Sequence, residues 1–419
     1  MKGVSSIGVY GSLLVFLLLV GCASNKTYRT DLISTCSLSD KDCDASLEIS
    51  GGTAESSQIA LAYIEINDQG LLRERGQLDR VRSLITSRGM RGNQAVMVFV
   101  HGWHNNAQAD NKNVQTFRRL LKRYAELNPT VLVTGVYVGW RGDSWLLPSF
   151  VSFWDRKSVS IEIGQSALVD TISIVEKASI ETKSRMVSIG HSFGGSALFN
   201  ATRSILLSRL DSPPLAFAHE EFPMHAAVGD LIVIVNPAFE AMQYWPLHSA
   251  TLDRISKTTP VPDRGPRMLI LQGQRDWATR YAFPAGRSLT APFQSFADDS
   301  DSTDFVKQPL SEWRLDLFAI GHFKELNTHE LLDLAGAATD FSKCGHEVDS
   351  KGFANGAWSS PNAKVRLNPR SNFVKGYPFW IVYDTLLSSG HNDLEDGRLT
   401  CMVADLISTY TRTEPLLFR

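Results

Sequence analysis

The sequence predicts an α/β fold with a mostly parallel central sheet and helices on both faces of that sheet. Six short segments are almost continuously apolar and β-branched, as strands buried on both faces require. They lie at 95–100, 131–138, 186–190, 230–235, 268–273 and 378–384. Segments with helical spacing alternate with these strands, which is typical of parallel sheets. The clearest are 113–127, 162–179 and 196–210.

Length and charge limit the classes of function. The chain has 419 residues, of which 43% are hydrophobic and 21% charged, so it can form one large domain or two medium ones. The formal net charge is -2 and the sequence contains no basic run, so we expect no nucleic-acid partner. Small molecules or neutral polymers are the expected partners.

The first residues predict export and a lipid anchor. The apolar run from Leu13 to Val20 is shorter than the ~20 residues of a membrane span, and we interpret residues 1–21 as a signal peptide. The letters LVGC at 19–22 resemble the lipobox of bacterial lipoproteins, in which the cysteine carries the lipid. This resemblance implies membrane attachment through Cys22 in the cell envelope. By the same resemblance, Ala23 in place of Asp after the cysteine implies the outer membrane, if the cell is Gram-negative.

The next part of the chain is polar and lacks sustained periodicity. We therefore predict a flexible tether over 22–57 and a folded domain over 58–419. The domain begins with a strand-like run, IALAYIEIND, followed by a helical segment with Leu78, Val81 and Leu84 on one side.

Four further cysteines follow Cys22, and an exported chain permits disulfides. Proximity favours Cys36 with Cys43, which leaves Cys344 with Cys401, although four cysteines allow three pairings. Four free buried thiols are the alternative.

The motif GHSFG at 190–194 lies between a predicted strand and a predicted helix. A tight turn there strains the serine backbone and leaves no room for bulky side chains at 190 and 194. The alternative is an ordinary glycine-rich turn with no catalytic role. In this context the motif resembles the nucleophile elbow of the α/β-hydrolase superfamily, which includes serine esterases and lipases. The resemblance implies that Ser192 is a nucleophile and that the fold is the α/β-hydrolase fold.

The letters HGWHNN at 101–106 follow the strand at 95–100. The resemblance implies an oxyanion hole here, made by the backbone N–H groups of Trp103 and Phe193. His101 and His104 lack a carboxylate at matching spacing, so we expect no metal site. The chemistry implied by the resemblance requires no metal or organic cofactor.

Asp276 follows the strand at 268–273, where the superfamily usually carries the acid of its triad. A buried carboxylate would orient the catalytic imidazole. The bland alternative is an N-cap for the helix that follows, and both roles are compatible. Glu240 is the fallback acid.

Two histidines are candidates for the base. Spacing from Asp276 favours His322, whereas architecture favours His391, because the superfamily places its base after the last core strand and before a closing helix. We take His391 as the base and keep His322 as the alternative. His329 is interpreted as a helix-start residue.

Aromatic and polar segments surround these candidates. The aromatic-rich segments 139–155 and 281–296 are interpreted as a lid or acyl pocket, or equally as core beneath a long loop. The polar segment 291–376 is interpreted as an insertion or cap.

The sequence therefore predicts a membrane-tethered serine hydrolase that cleaves a small-molecule or lipid carboxylic ester through an acyl-enzyme intermediate. Two alternatives remain. One is a non-catalytic envelope lipoprotein that keeps the scaffold for binding, and the other is an acyltransferase that uses the same residues.

Overall fold

A computed structural model of the chain describes most of the residues from Lys26 to Thr413. The described ranges are 26–142, 149–211, 227–257, 265–288, 311–335, 344–347, 352–384, 386, 390–391 and 397–413. The side chains of residues 149–152, 211 and 413 are not described. The predicted signal peptide and Cys22 lie outside these ranges.

The described strands form one mostly parallel sheet. They are β1 (Cys36–Ser37), β2 (Leu47–Ile49), β3 (Ile59–Glu65), β4 (Gln94–Val100), β5 (Leu132–Gly139), β6 (Arg185–His191), β7 (Leu231–Val235), β8 (Met268–Gly273), β9 (His329–Asp333), β10 (Trp358–Ser360), β11 (Val365–Pro369) and β12 (Phe379–Asp384). Their order is β1-β2-β3-β5-β4-β6-β7-β8-β12-β9-β11-β10. The run from β3 to β9 is parallel, and antiparallel pairs bound it on both sides.

Helices cover both faces of the sheet. They are α1 (Arg75–Gly89), α2 (Lys112–Leu127), α3 (Ser149–Gly164), α4 (Ala167–Glu181), α5 (Phe193–Asp211), α6 (Ala241–Ser256), α7 (Phe283–Arg287), α8 (Glu312–Leu317) and α9 (Gly397–Thr413). Side chains alternate across each strand. Val98 thus packs in the core beneath α1, α4, α5 and α6, whereas Phe99 packs in the core beneath α2 and α9. The predicted α/β class is confirmed.

All six predicted core strands are present, with ends within one residue of the prediction. The single helix predicted over 162–179 is wrong, because α3 ends at Gly164 and α4 begins at Ala167. A Cβ atom on Gly164 would lie 2.5 Å from the carbonyl oxygen of Ala197. The chain therefore passes very close to α5 at this point, and the helix is interrupted where this contact is made.

The flexible tether predicted over 22–57 is wrong for its described part. There, β2 pairs with β3 in the sheet, and the fully buried Glu48 forms ion pairs with Arg29 at 3.0 Å and with Arg118 at 2.5 Å. The guanidinium of Arg29 also lies 3.6 Å from the ring centroid of Tyr63. Polar residues in this segment build a buried ion-pair network, so polar composition did not indicate disorder.

The described cysteines form two disulfides. Cys36 pairs with Cys43, and Cys344 pairs with Cys401, which is the pairing that proximity favoured. The second bond joins the predicted insertion to α9.

The segment 291–376 lies between β8 and β12 in the sequence, although these two strands are neighbours in the sheet. Its strands do not form a cap, since β9, β11 and β10 extend the sheet beyond β12. His329 begins β9 instead of the expected helix, and its ring stacks on Trp380 at 4.0 Å between centroids.

No helix among the described residues is both long enough and apolar enough to cross a bilayer.

Candidate active site

The parallel strands bring the candidate residues to one edge of the sheet. Trp103 follows β4, Ser192 follows β6, Asp276 follows β8 and His391 follows β12, each beyond the carboxyl end of its strand. Open parallel sheets bind their ligands at this edge.

Ser192 occupies a single-residue turn between a strand and a helix. Strand β6 ends at His191 and α5 begins at Phe193, so the serine must reverse the chain direction alone. Its φ is 55°, a left-handed value that is uncommon for residues other than glycine. The Ser192 N–H donates to the Val235 carbonyl at 3.0 Å, and its carbonyl accepts from Ser196 at 3.1 Å, which holds the turn in place.

The glycines around Ser192 are required by space. A Cβ atom on Gly194 would lie 2.2 Å from the carbonyl oxygen of Val100, and one on Gly190 would lie 2.7 Å from the Cα of Gly195. These contacts confirm the prediction that side chains at 190 and 194 would clash. The turn and the end of β4 are therefore packed backbone to backbone.

Three side chains form a continuous hydrogen-bonded chain. Ser192 Oγ lies 2.7 Å from His391 Nε2, and His391 Nδ1 lies 2.8 Å from Asp276 Oδ1. An ionised carboxylate only accepts, so Nδ1 carries the proton and Nε2 accepts from the serine hydroxyl. Of the two candidate bases, His391 is the one that contacts Ser192.

Asp276 is fully buried and stays ionised. Burial acts to raise its pKa, but hydrogen bonds from His391 and from the Thr279 hydroxyl outweigh burial and lower the pKa to about 2. Its Oδ1 also accepts from the backbone N–H of Ala278 at 3.0 Å and of Thr279 at 3.2 Å, at the start of the π-helical turn Ala278–Ala282. The carboxylate thus both caps that turn and contacts the histidine.

His322 lies on the other side of the same carboxylate. The Thr279 hydroxyl donates to Asp276 Oδ2 at 2.5 Å, and His322 Nε2 lies 2.9 Å from that hydroxyl oxygen. Since the threonine proton is given to Asp276, His322 must donate through Nε2. Burial lowers the pKa of His322 to about 4, so this imidazole is neutral at neutral pH. His322 therefore reaches the acid through Thr279 and does not contact Ser192.

Glu240, the fallback acid, belongs to a different network. It forms ion pairs with Lys157 and with Arg287, whose Nε lies 2.9 Å from Glu240 Oε1. Its carboxylate thus contacts two cations, of which Arg287 also pairs with Asp316, and it has no described contact with His391.

The loop after β4 packs directly on the serine turn. A Cβ atom on Gly102 would lie 2.9 Å from the His191 carbonyl oxygen and 3.0 Å from Ser192 Cβ. No described residue accepts a hydrogen bond from the Trp103 or Phe193 amide. Backbone amides at such a position stabilise an oxyanion in acyl transfer.

His101 supports this loop from below. Its Nδ1–H donates to the Gly102 carbonyl at 2.9 Å, and its Nε2 accepts from the Trp140 N–H at 2.9 Å. Burial lowers its pKa to about 4, and both ring nitrogens are occupied by the backbone. His101 is therefore a structural residue of the loop.

Two residues near the base were missed by the sequence interpretation. His191 Nε2 and Asn236 Nδ2 lie 2.8 Å and 3.1 Å from the main-chain carbonyl oxygen of His391. Asn236 directly follows β7, so inspecting that strand end would have found it. His191 was visible only as the variable residue of the GHSFG motif.

An apolar cavity of about 570 Å³ opens beside Ser192 and His391. Six aromatic side chains line it: Trp103, Phe153, Trp154, Phe193, Trp277 and Phe283. No described Asp, Glu, Lys or Arg side chain is part of the lining. From the two aromatic-rich segments, the described Phe153, Trp154 and Phe283 contribute to this wall, whereas Trp145, Leu146 and Leu147 lie outside the described residues.

No group of three or more His, Cys, Asp or Glu side chains within the described ranges is arranged to hold a metal ion. His104 is exposed and its ring stacks on Trp103, with 4.1 Å between centroids.

The carboxyl edge of the sheet thus carries a Ser-His-Asp chain, the Trp103 and Phe193 amides, for which no described residue is an acceptor, and an apolar cavity. Comparison with protein-family models, with curated proteins and with solved structures found no match to this chain.

Proposed function

We propose that the protein is a serine hydrolase with the α/β-hydrolase fold, which cleaves carboxylic esters through an acyl-enzyme intermediate. The observation that carries the proposal is the chain from Ser192 Oγ to His391 Nε2 at 2.7 Å and from His391 Nδ1 to Asp276 Oδ1 at 2.8 Å. A hydroxyl next to an imidazole that is oriented by a buried carboxylate is the arrangement that activates serine as a nucleophile.

In the first half of the proposed reaction, Ser192 Oγ attacks the ester carbonyl carbon while His391 Nε2 takes the hydroxyl proton. The carbonyl oxygen becomes an oxyanion and receives hydrogen bonds from the Trp103 and Phe193 amides. Collapse of this intermediate breaks the bond to the leaving alkoxide, which takes the proton from His391 Nε2. The products of this half are a free alcohol and an acyl group bonded to Ser192.

The second half repeats these steps with water. His391 takes a proton from the water as the water oxygen attacks the acyl carbonyl carbon, which forms a second tetrahedral intermediate. Its collapse breaks the bond between the acyl carbon and Ser192 Oγ, which takes the proton from His391 Nε2, and the carboxylic acid is released. Asp276 stays ionised throughout, in agreement with its pKa of about 2, and stabilises the imidazolium that forms twice per cycle.

The topology supports the α/β-hydrolase assignment. The candidate nucleophile, acid and base follow β6, β8 and β12 in the chain order Ser, Asp, His that this fold uses. The loop after β4, an immediate neighbour of β6, supplies the Trp103 amide. Helix α9 follows the base and covers the face opposite to α5.

The cavity supports an uncharged substrate. Its described lining is rich in aromatic side chains, which favour burial of apolar groups, and the described part of that lining offers no ion-pair partner to a charged group. An apolar acyl group attached to the reacting carbonyl fits this environment.

The proposed lipid anchor on Cys22 places the enzyme on a membrane surface of the cell envelope. Metabolic labelling with radioactive palmitate tests this part separately. We expect incorporation into the wild type and none into Cys22→Ala, and equal incorporation into both would contradict it.

A fluorophosphonate probe tests the hydrolase proposal directly, because it phosphonylates only an activated serine. We expect labelling and ester hydrolysis by the wild type, and loss of both in Ser192→Ala. Ser196→Ala, one helical turn further along α5, is the matched control and should keep both. Absence of labelling in folded wild-type protein, or labelling that survives Ser192→Ala, would leave a non-catalytic binding protein as the better description.

A further inference from the structure

The main-chain carbonyl of His391 accepts two side-chain hydrogen bonds. The donors, His191 Nε2 at 2.8 Å and Asn236 Nδ2 at 3.1 Å, stand at the ends of the neighbouring strands β6 and β7. A carbonyl oxygen has two lone pairs and can accept both. We call this pair of donors, His191 and Asn236, the carbonyl clamp.

The direction of the Asn236 amide is fixed by its other contacts. Its Oδ1 accepts from the backbone N–H of Gly273 at 2.8 Å, at the end of β8. The NH₂ group must therefore face His391. The backbone φ of Asn236 is 48°, a left-handed value that asparagine tolerates better than most residues. The Asn236 side chain is almost completely buried. Asn236 is thus held on both sides and presents one defined donor.

The tautomer of His191 is fixed in a similar way. Because Nε2 must donate to the His391 carbonyl, Nδ1 carries no proton and is an acceptor. No described residue donates to Nδ1, and the ring is almost completely buried. Burial lowers the pKa of His191 to about 4, so the donor tautomer is present at neutral pH.

An unpartnered buried nitrogen is unfavourable, so an apolar side chain would fill this position at a lower cost if packing were its only role. The contact that imidazole adds is the hydrogen bond to the His391 carbonyl. We propose that His191 and Asn236 are positioning residues for the catalytic base, a role that rests on the proposed hydrolase function. They fix the backbone of His391 so that its ring bridges Ser192 Oγ and Asp276 Oδ1.

The physical effect is on geometry. The ring of His391 must satisfy two hydrogen bonds of 2.7 Å and 2.8 Å at once, and its Cα is the pivot from which both are reached. Misplacement of a reacting group by about 1 Å can cost roughly 10²-fold in rate. Loss of one of two donors should allow part of this displacement.

The first test compares His191→Leu with His191→Gln in ester hydrolysis. Leucine removes the donor, whereas the glutamine amide can donate to the same carbonyl. We expect His191→Leu to lower kcat by about tenfold or more with KM within about twofold, and His191→Gln to recover most of the loss. Equal losses in the two variants, or a loss confined to KM, would overturn the proposal.

The second donor is tested by Asn236→Asp, which keeps the side-chain size and replaces the donor by an oxygen. We expect a kcat loss similar to that of His191→Leu, and a double variant that loses less than the product of the two single losses. His329→Leu is the matched control, since it removes a fully buried histidine outside the site. This control should lower the urea midpoint without lowering kcat. If kcat falls in proportion to the urea midpoint in all variants, including His329→Leu, the clamp residues have only a structural role.

A readout without turnover separates this inference from the proposed function. The Nδ1 proton of His391, hydrogen-bonded to Asp276, should give a downfield proton NMR signal that is lost or broadened in His191→Leu and retained in His191→Gln. If the wild type hydrolyses esters but the His391 Nδ1 proton signal is the same in the wild type and both His191 variants, the clamp is overturned and the hydrolase proposal stands. A signal that responds in a protein that hydrolyses no ester supports the clamp geometry and overturns the hydrolase.

Discussion

The turn that carries Ser192 and the loop that carries His391 meet at a hydrogen bond of 2.7 Å, yet different forces hold them. The serine turn is fixed by crowding, because a single added Cβ atom on Gly194 would lie 2.2 Å from the Val100 carbonyl oxygen. Apart from its contact with Ser192, the base is held mainly by hydrogen bonds: its carbonyl accepts from His191 and Asn236, and its ring donates to Asp276. Crowding acts between residues that are in direct contact and does not change with pH. The position of the base instead depends on hydrogen bonds from residues distant in the chain, one of which, His191, can be protonated.

Removal of the base should have the largest effect on activity. We expect His391→Ala to lower kcat/KM for an ester by roughly 10⁴-fold or more, because the serine proton loses its acceptor. His322→Ala should cost less than about tenfold, since His322 reaches Asp276 only through Thr279. Steady-state hydrolysis by the two variants measures this difference. The opposite order would make His322 the base.

Crowding of the serine turn should appear as lost stability. We expect Gly194→Ala to lower the free energy of unfolding by roughly 3 kcal/mol or more, because two backbone segments must separate. Gly92→Ala is the matched control, since a Cβ atom there meets nothing within 4 Å, and its cost should stay within about 0.5 kcal/mol. Urea unfolding midpoints give both values. Similar midpoints for the two variants would show that the turn can relax.

Acidification should lower the free energy of unfolding, in part through His191 of the carbonyl clamp. The pKa of His191 is lowered from 6.5 to about 4, mainly by burial and also by the nearby His391, so the folded state favours the neutral ring. This stabilisation is complete above pH 6.5 and is lost as the pH falls toward 4, and it amounts to about 3 kcal/mol.

Urea midpoints measured over this pH window should fall for the wild type and fall less for His191→Gln. The other buried histidines with pKa values near 4 contribute a common background to both proteins: His101, His248, His322 and His329. Parallel curves for the two proteins would remove His191 from the acid response.

The same division explains what the sequence could predict. The Ser192 turn could be predicted from the sequence because its strand, its glycines and its helix are consecutive in the chain. His391 was favoured over His322 by architecture and against spacing, and the spacing misled because β9, β10 and β11 are inserted before β12.

Polar contacts between residues far apart in the chain could not be predicted from the sequence. The clamp joins residues 200 and 155 positions apart. The position of Asn236 after β7 could have drawn attention to that residue, but no local pattern shows that it or His191 contacts the carbonyl of His391. The same holds for Glu48 and Arg118, which are 70 positions apart and hold a segment whose composition predicted a flexible tether.

The early start of the folded region has a mechanical consequence for a lipid anchor on Cys22. The backbone N–H of Tyr28 already donates to Glu65 at 3.0 Å, so the ordered domain begins close to the proposed attachment point. A tether of the predicted length, 36 residues if counted from Cys22 to Ser57, would have had a typical reach of about 35 Å. The six residues from Cys22 to Tyr28 span at most about 20 Å. A lipidated enzyme of this kind would be held with the start of its folded domain within about 20 Å of the anchored lipid, and it would search for substrate in the two dimensions of the bilayer surface.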